Sequence, residues 1–278
     1  MKRSDRSLIK KVFIEPSIFD DKYSRGVLGV ITGSKSYPGA SSLTTKSSLR
    51  TGVGMVRFLT GIKDLNYLVL EKSPEVVIKD GQVQAWLLGS GIEKNGGKLK
   101  TRRKIIKAIS QNLPTVLDAG AINFVTKVEQ NSIITPHYKE LQELFAANSI
   151  EVSLTEIKKD PAKWAKKASL EFKTTVLLKG NTTIICDAKS TVEIKSGTTH
   201  LATAGTGDVL SGILGSLVAT NYLRLRNKTI TLLEIAQAAV LIHQEASLEA
   251  SNAGPISASL IIEKISPVIG KVLSTKFI

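Results

Sequence analysis

The sequence predicts an α/β protein with a mainly parallel central sheet and helices on both faces. Three observations carry that prediction. From residue 27 onward, short apolar runs of strand length alternate with longer segments of helical period. Several of the runs end in glycine, an acid or lysine-glycine, at Gly33, Gly89, Asp118 and Lys179-Gly180. One helix opens straight from a glycine turn, Thr203-Ala204-Gly205-Thr206-Gly207-Asp208. Ligands of open α/β sheets bind beyond the carboxyl ends of the strands, so these ends are expected to converge on one cleft with residues 205–208.

The elements follow in order. Residues 27–33, VLGVITG, form a buried strand ending in glycine, and 34–40 form a loop. Gly33-Ser34-Lys35-Ser36 resembles the end of a phosphate-binding P-loop, but Gly29 stands four residues before Gly33 instead of five, which excludes that motif. A helix over 40–51 ends at Gly52-Val53-Gly54 and leads into a strand over 55–59. Residues 67–70 are read as a strand, and 85–89 as a clearer one ending in Gly89-Ser90-Gly91. The basic residues from Lys98 to Lys107 lie on an amphipathic helix that offers Leu99, Ile105, Ile106 and Ile109 to the core.

Residues 115–120 form a strand ending in an acid, Asp118. Residues 133–137 form another, stopped by Pro136, which starts a helix through about residue 147. A helix over 160–172 has Pro161 first, and a strand over 176–180 ends in Lys-Gly. Residues 183–186 and 192–195 pair antiparallel. In the central helix Thr206 is read as the N-cap, with Asp208 in the first turn. Gly207, Ser211, Gly215 and Ala219 make a stripe of small residues on it, which marks a buried helix closely approached by other backbone. Helices over 232–250 and 257–273 close the chain.

At the glycine turn, free amides and the helix dipole make a site for a phosphoryl oxyanion. An acid beside such a site is explained if Asp208 deprotonates a hydroxyl while the amides of Gly205, Thr206 and Gly207 hold the phosphoryl group it attacks. The same residues also suit ordinary helix-start chemistry.

Bulk properties narrow the classes. The chain has 278 residues, 42% hydrophobic and 22% charged, a globular composition with ample material for a core. Its one cysteine, Cys186, excludes an intrachain disulfide and a cysteine-based metal site. His137, His200 and His243 are too scattered for a recognisable metal site. The basic start has no apolar core of a signal peptide, and the most apolar helix, 209–219, is too short to span a bilayer. A soluble cytoplasmic protein, with no membrane partner, is therefore expected. The net charge of +14 fits either a nucleic-acid binder or an enzyme with polyanionic substrates. With only 5% aromatics, platforms for stacking bases are sparse, so no nucleic-acid partner is expected.

Six segments occur in one order: Tyr37-Pro38-Gly39-Ala40, Gly89-Ser90-Gly91, Leu117-Asp118-Ala119-Gly120-Ala121, Thr135-Pro136-His137-Tyr138-Lys139-Glu140, Lys179-Gly180-Asn181-Thr182-Thr183 and Ala204-Gly205-Thr206-Gly207-Asp208. Together, over residues 26–272, they resemble the ADP-dependent NAD(P)H-hydrate dehydratase family of the ribokinase-like superfamily. The resemblance implies a ribokinase-like three-layer α/β/α fold, with residues 1–278 as a single domain and 1–25 as an N-terminal extension. It implies repair of the S epimer of NADH or NADPH hydrate. The hydroxyl is phosphorylated by a nucleotide, preferably ADP and otherwise ATP, with Mg²⁺. Phosphate, a far better leaving group than hydroxide, is then eliminated.

By the same resemblance Asp208 is the base, and Gly205, Thr206 and Gly207 hold the phosphoryl group. Lys179, Gly180, Asn181, Thr182 and Thr183 bind the nucleotide together with Gly207. Ala40, Gly89, Gly91, His137 and Asp208 line the hydrate, and no protein metal site is assigned. Taken without the family, His137 reads as a helix-start residue, Lys179 as a surface lysine and Asp118 as a helix cap with at most a supporting role. The family's glycine turn usually reads Gly-Pro-Gly, so Ser90 is expected to loosen it. A homotetramer is expected, and the epimerase domain of some members is not expected on this chain. The alternative within the superfamily is a kinase of a vitamin-precursor alcohol such as hydroxymethylpyrimidine or hydroxyethylthiazole.

Overall fold

The computed structural model describes residues 1–128, 131–252 and 254–275. Its strands are β1 (Val27–Ile31), β2 (Met55–Phe58), β3 (Ala85–Leu88), β4 (Thr115–Leu117), β5 (Ser132–Ile134), β6 (Thr175–Leu178), β7 (Thr182–Cys186) and β8 (Thr191–Lys195). They form one eight-stranded sheet in the order β2-β1-β3-β4-β5-β6-β7-β8. β1 to β6 are parallel, and β7 and β8 join as an antiparallel edge. The predicted mainly parallel sheet with a small antiparallel pair is what forms. Its strand order reverses at β1, which lies between β2 and β3, so a crevice opens beyond the carboxyl ends of β1 and β3.

The helices are α1 (Arg3–Val12), α2 (Pro38–Thr51), α3 (Lys63–Lys72), α4 (Leu99–Ile109), α5 (Tyr138–Ala147), α6 (Leu154–Lys159), α7 (Pro161–Glu171), α8 (Thr206–Thr220), α9 (Tyr222–Arg226), α10 (Leu232–Ser251) and α11 (Ala258–Ser274). Both sheet faces are covered, which is why the strands read as unbroken apolar runs. Leu28 and Val30 of β1 turn to a core shared with α8, α10 and α11. Val27 and Ile31 turn to a second core with α4, α5 and α7.

Several boundaries depart from expectation. Residues 67–70 lie in α3, not in a strand. Leu65 and Val69, four apart, are buried while Tyr67 is 62% exposed, so the spacing that packs is helical. α4 buries Ile105 and Ile109 but leaves Leu99 and Ile106 exposed, because its apolar face is narrower than its apolar content. α5 begins at Tyr138, two residues after Pro136, since His137 takes the cap position. The short helices α6 and α9, of six and five residues, are too brief to show a helical period in the sequence. The first residues contain α1, whose Ile9 and Val12 are fully buried in the core of α8, α10 and α11.

α8 packs along α2, and the contact explains an unusual sequence. α2 is rich in buried hydroxyls, and each bonds back to a carbonyl one turn earlier: Thr44 to Ala40 (2.8 Å), Ser47 to Leu43 (2.7 Å), Ser48 to Thr44 (2.7 Å) and Thr51 to Ser47 (2.8 Å). With their hydroxyls satisfied internally, small side chains let another backbone approach. The closest approach is at Gly212, outside the expected stripe of small residues. A Cβ there would lie 1.9 Å from Ser47 Oγ and 2.5 Å from the Thr44 carbonyl. The Ser48 hydroxyl also donates to the Gly212 carbonyl at 3.0 Å. This contact sets the start of α8 against the start of α2, both at the crevice.

Gly212→Ala is therefore expected to lower the unfolding free energy by about 1–3 kcal/mol through overpacking. Gly270→Ala, in α11 with nothing within 4 Å of the added methyl, is expected to raise it by about 0.5–1 kcal/mol. Denaturant unfolding of both variants checks the contrast.

Candidate active site

A cleft of about 760 Å³ lies in the crevice, lined among others by Ala40, Gly91, Asn123, Glu140, Gly205 and Asp208. Four sequence-predicted residues thus meet there: Ala40 at the start of α2, Gly91 after β3, and Gly205 and Asp208 at the start of α8. Gly91 is needed because a Cβ would lie 2.2 Å from the Ala40 Cβ, so the turn after β3 packs directly on the first turn of α2.

Gly205, with φ of 86°, is the N-cap of α8, which moves the cap one residue before the expected Thr206. The Thr206 hydroxyl instead donates to the carbonyls of Leu201 and Thr203, both at 3.0 Å, and holds the approach loop. The amides of Gly207 and Asp208 belong to the first turn, where a helix supplies no intrahelical carbonyl. At Gly207 an added Cβ would meet only the Lys179 ammonium, at 3.8 Å, so open space there lies between a helix N-terminus and a cation.

Lys179 follows β6, and its amide donates to the Pro136 carbonyl at 2.8 Å. Its Nζ stands 2.9 Å from Asp118 Oδ1 and 3.9 Å from Glu140 Oε2. Its side chain is half-buried against these two acids, so it is not a surface lysine. Burial pulls the ammonium down, but Asp118 and Glu140 outweigh it and hold Lys179 above its ordinary range. Asp118 is 2% exposed and accepts from Ser90 Oγ at 2.8 Å and Thr135 Oγ1 at 2.7 Å as well as from Lys179. Burial pushes its carboxyl up, yet the Lys179 charge and these hydrogen bonds hold it below the usual carboxylate range. It precedes the 3₁₀ segment Ala119–Lys127 but makes no side-chain capping bond.

Asp208 is opposite in character. Burial first, and the charge of Asp118 second, outweigh Lys179 and push its carboxyl up to about 7. It is thus an acid poised to take or give a proton near neutrality, at the mouth of an anion site.

Other predicted residues sit further out. His137 caps α5: its Nδ1 accepts the Glu140 amide at 3.1 Å, and its own amide donates to Glu140 Oε2 at 2.8 Å. The imidazole is half-exposed and is not among the residues lining the cleft. Gly89 is a packing glycine, because a Cβ would lie 2.0 Å from the Asp118 carbonyl. Gly180 packs on the Tyr138 hydroxyl, Asn181 accepts from Ser196 through its carbonyl, and Thr182 and Thr183 pair with Lys195 and Ile194 of β8. Residues 180–183 therefore form the hairpin beside Lys179. The Ser90 turn is tied, not loosened: the side chain is buried, its hydroxyl serves Asp118, and its carbonyl accepts the Gly33 amide at 2.7 Å. Glu140 and Asp118, to which sequence reasoning gives no main role, both face Lys179. Their signals were the acid ending the Thr135–Glu140 motif and the acid closing β4.

The sheet order, the helices on both faces and the glycine-opened helix define a ribokinase-like three-layer α/β/α protein. The NAD(P)H-hydrate dehydratase family model matches residues 28–267, and the chain belongs to that family. The bifunctional NAD(P)H-hydrate repair enzyme Nnr of Corynebacterium glutamicum is 32% identical over 93% of this chain. The chain spans about half the length of such bifunctional relatives, 49% in that case. The ADP-dependent (S)-NAD(P)H-hydrate dehydratase of Neisseria meningitidis is 28% identical, over 95% of this chain and 92% of its own. Among solved structures, the ADP/ATP-dependent NAD(P)H-hydrate dehydratase of Bacillus subtilis, co-crystallised with ATP and Mg²⁺, has a TM-score of 0.82. It is 21% identical and the match covers 96% of this chain and 97% of that one, a likeness of fold.

Two histidines lie apart from the cleft lining. His200 is exposed in the 3₁₀ turn Thr199–Leu201. His243 of α10 is buried next to the Thr206 backbone. Burial pulls its imidazole from 6.5 to about 4, against the opposing Thr206 contact. The folded state therefore favours neutral His243, and the stability it protects is present above 6.5 and lost as pH falls toward 4. Between pH 7 and pH 5 this group is expected to remove about 2 kcal/mol of stability. Denaturant titrations of the wild type and His243→Gln at the two pH values check this: the raised Asp208 carboxyl contributes with the opposite sign in both proteins, so the difference between their pH 7 to pH 5 changes is expected to be about 2 kcal/mol.

Proposed function

We propose that this protein restores damaged nicotinamide cofactor by dehydrating the S epimer of NADH or NADPH hydrate, with ADP as the preferred phosphoryl donor and ATP as the other. The observation that supports this most is Asp208, held near neutrality and facing the same space as the α8 amides and the Lys179 ammonium. Asp208 takes the proton from the hydrate hydroxyl, and that oxygen attacks the terminal phosphorus of the nucleotide. The amides of Gly205 and Gly207 and the Lys179 ammonium hold the charge that gathers on the phosphoryl oxygens, while the Thr206 amide, also expected there, donates to the Thr203 carbonyl at 3.4 Å. Phosphate then leaves with the carbon–oxygen bond's electrons, the neighbouring ring carbon loses a proton, and the double bond returns.

The hydrate lies along Ala40, Gly91 and Asp208, with Gly89 and His137 supporting that side. The nucleotide lies along residues 179–183 and Gly207. Mg²⁺ binds largely through substrate phosphates and water. Among the described residues no group of three or more His, Cys, Asp or Glu side chains is placed to hold a metal ion. When bound it neutralises phosphoryl charge. One domain, a cytoplasmic setting and a homotetramer belong to the same proposal. No described helix is long and apolar enough to cross a membrane.

Incubation with (S)-NADH hydrate, ADP and Mg²⁺ is expected to restore the reduced-nicotinamide absorbance. No recovery with either nucleotide refutes the proposal, and a stable phosphorylated alcohol would mark a vitamin-precursor kinase instead. Asp208→Asn is expected to lose roughly 10²–10⁴-fold in rate.

The base must be ionised, and its carboxyl sits at about 7, so kcat/KM should fall nearly tenfold per pH unit below that value. A flat profile from pH 5 to 8 contradicts the assigned role.

A further inference from the structure

We propose that Asp118 is a positioning residue, locked by the hydroxyls of Ser90 and Thr135, that fixes the Lys179 ammonium beside Gly207 and keeps it from closing onto Asp208. The inference rests on the phosphoryl-transfer reading above and assigns work to three side chains which that reading leaves idle.

The geometry separates Asp118 from the reacting groups. It is 2% exposed and is not among the residues lining the cleft. Both of its oxygens are occupied: Oδ2 accepts from Ser90, and Oδ1 accepts from Thr135 and Lys179. It acts on the reaction only through Lys179. A buried ion pair is a weak source of net stability, because desolvation consumes most of the attraction. What this pair supplies is direction. Ser90 comes from the β3 turn, Thr135 from the end of β5 and Asp118 from the end of β4, so three parallel strands set the carboxylate rigidly. The hydroxyl of Ser90 is a donor that proline at this turn does not have.

Lys179 then has a strong fixed anchor at 2.9 Å and a weaker one, Glu140, at 3.9 Å. Glu140 is itself held by the capping bond from the His137 amide, and its Oε2 lies 3.6 Å from His137 Nε2. The charges that act on Asp208 are Asp118 after β4 and Lys179 after β6, and the cleft it lines also carries Glu93, Lys94, Glu140 and Glu143. On the opposite side Leu43 of α2 and Ala258 of α11 pack against Gly205 and bring no charge. Neutralising Asp118 removes one negative neighbour of Asp208 and frees Lys179 to pair with it. Both changes favour the Asp208 carboxylate, so its titration should move down while the phosphoryl group loses its aimed cation.

The test is Asp118→Asn, which keeps the shape of the side chain. Two readouts are needed: the Asp208 carboxyl titration by NMR in the free protein, assigned by its loss in Asp208→Asn, and the pH dependence of turnover. The expected result is an Asp208 midpoint lower by about one unit or more. A kcat lower by roughly 10–100-fold with the KM for hydrate little changed is expected alongside. The titration needs no substrate, so it tests the arrangement even if the reaction proposed above proves to be another. A folded Asp118→Asn protein with an unmoved Asp208 midpoint overturns the inference.

Should that variant fail to fold, Ser90→Ala, which keeps the carboxylate, is expected to lower kcat about 3–10-fold by loosening it. Ser90→Thr, which returns a hydroxyl, is expected to recover most of that loss. An unchanged kcat in Ser90→Ala overturns the inference equally.

Discussion

One ammonium group faces three carboxylates. Lys179 stands against Asp118 and Glu140, and its charge is felt by Asp208 across the mouth of the glycine turn. A single cation leaves that group of acids short of neutralisation. The acid with the best hydrogen bonds, Asp118, stays ionised. Asp208, raised first by burial and then by the charge of Asp118, is left able to hold a proton near neutral pH. Two aspartates of identical intrinsic chemistry are driven apart by their surroundings, and on that separation rests the proposed division between positioning and proton transfer.

The fold makes this arrangement possible by bringing strand ends together. β3, β4, β5 and β6 run parallel and adjacent, so the residues just past them, Ser90, Asp118, Thr135 and Lys179, fall in a row at one edge of the sheet. α8 meets this row from one face, and its position is set by the Gly212 contact with α2. The chain's excess of +14 is not concentrated in the cleft, whose lining carries Glu93, Glu140, Glu143 and Asp208 against Lys94. The overall charge can steer polyanions toward the protein, while in the proposed reaction binding inside falls to backbone amides and Lys179.

Much of this was legible in the sequence because strands buried on both faces announce themselves as apolar runs, and because glycine and acid residues at their ends mark the functional edge. The strands around Val27, Ala85, Thr115 and Val176, the antiparallel edge and the helix opened by Gly205 all formed near their expected bounds. Residues 67–70 misled because a four-residue apolar stretch contains too little of either period to separate helix from strand. The cap shifted from Thr206 to Gly205 because the threonine hydroxyl found two loop carbonyls, a tertiary choice invisible in local spacing. Ser90 read as a loosened turn because its partner, Asp118, lies 28 residues away. Asp118 and Glu140 stood inside recognisable segments, but that they share one lysine is a fact of strand order.

The claim that a neutral-range acid primes an alcohol for phosphoryl transfer is tested most directly by following oxygen. (S)-NADH hydrate carrying ¹⁸O in its hydroxyl is turned over with ADP and Mg²⁺, and the products are read by ³¹P NMR. The account predicts one AMP and one inorganic phosphate per NADH restored, with the ¹⁸O in the phosphate. Label released to water, or NADH restored without AMP, would contradict it.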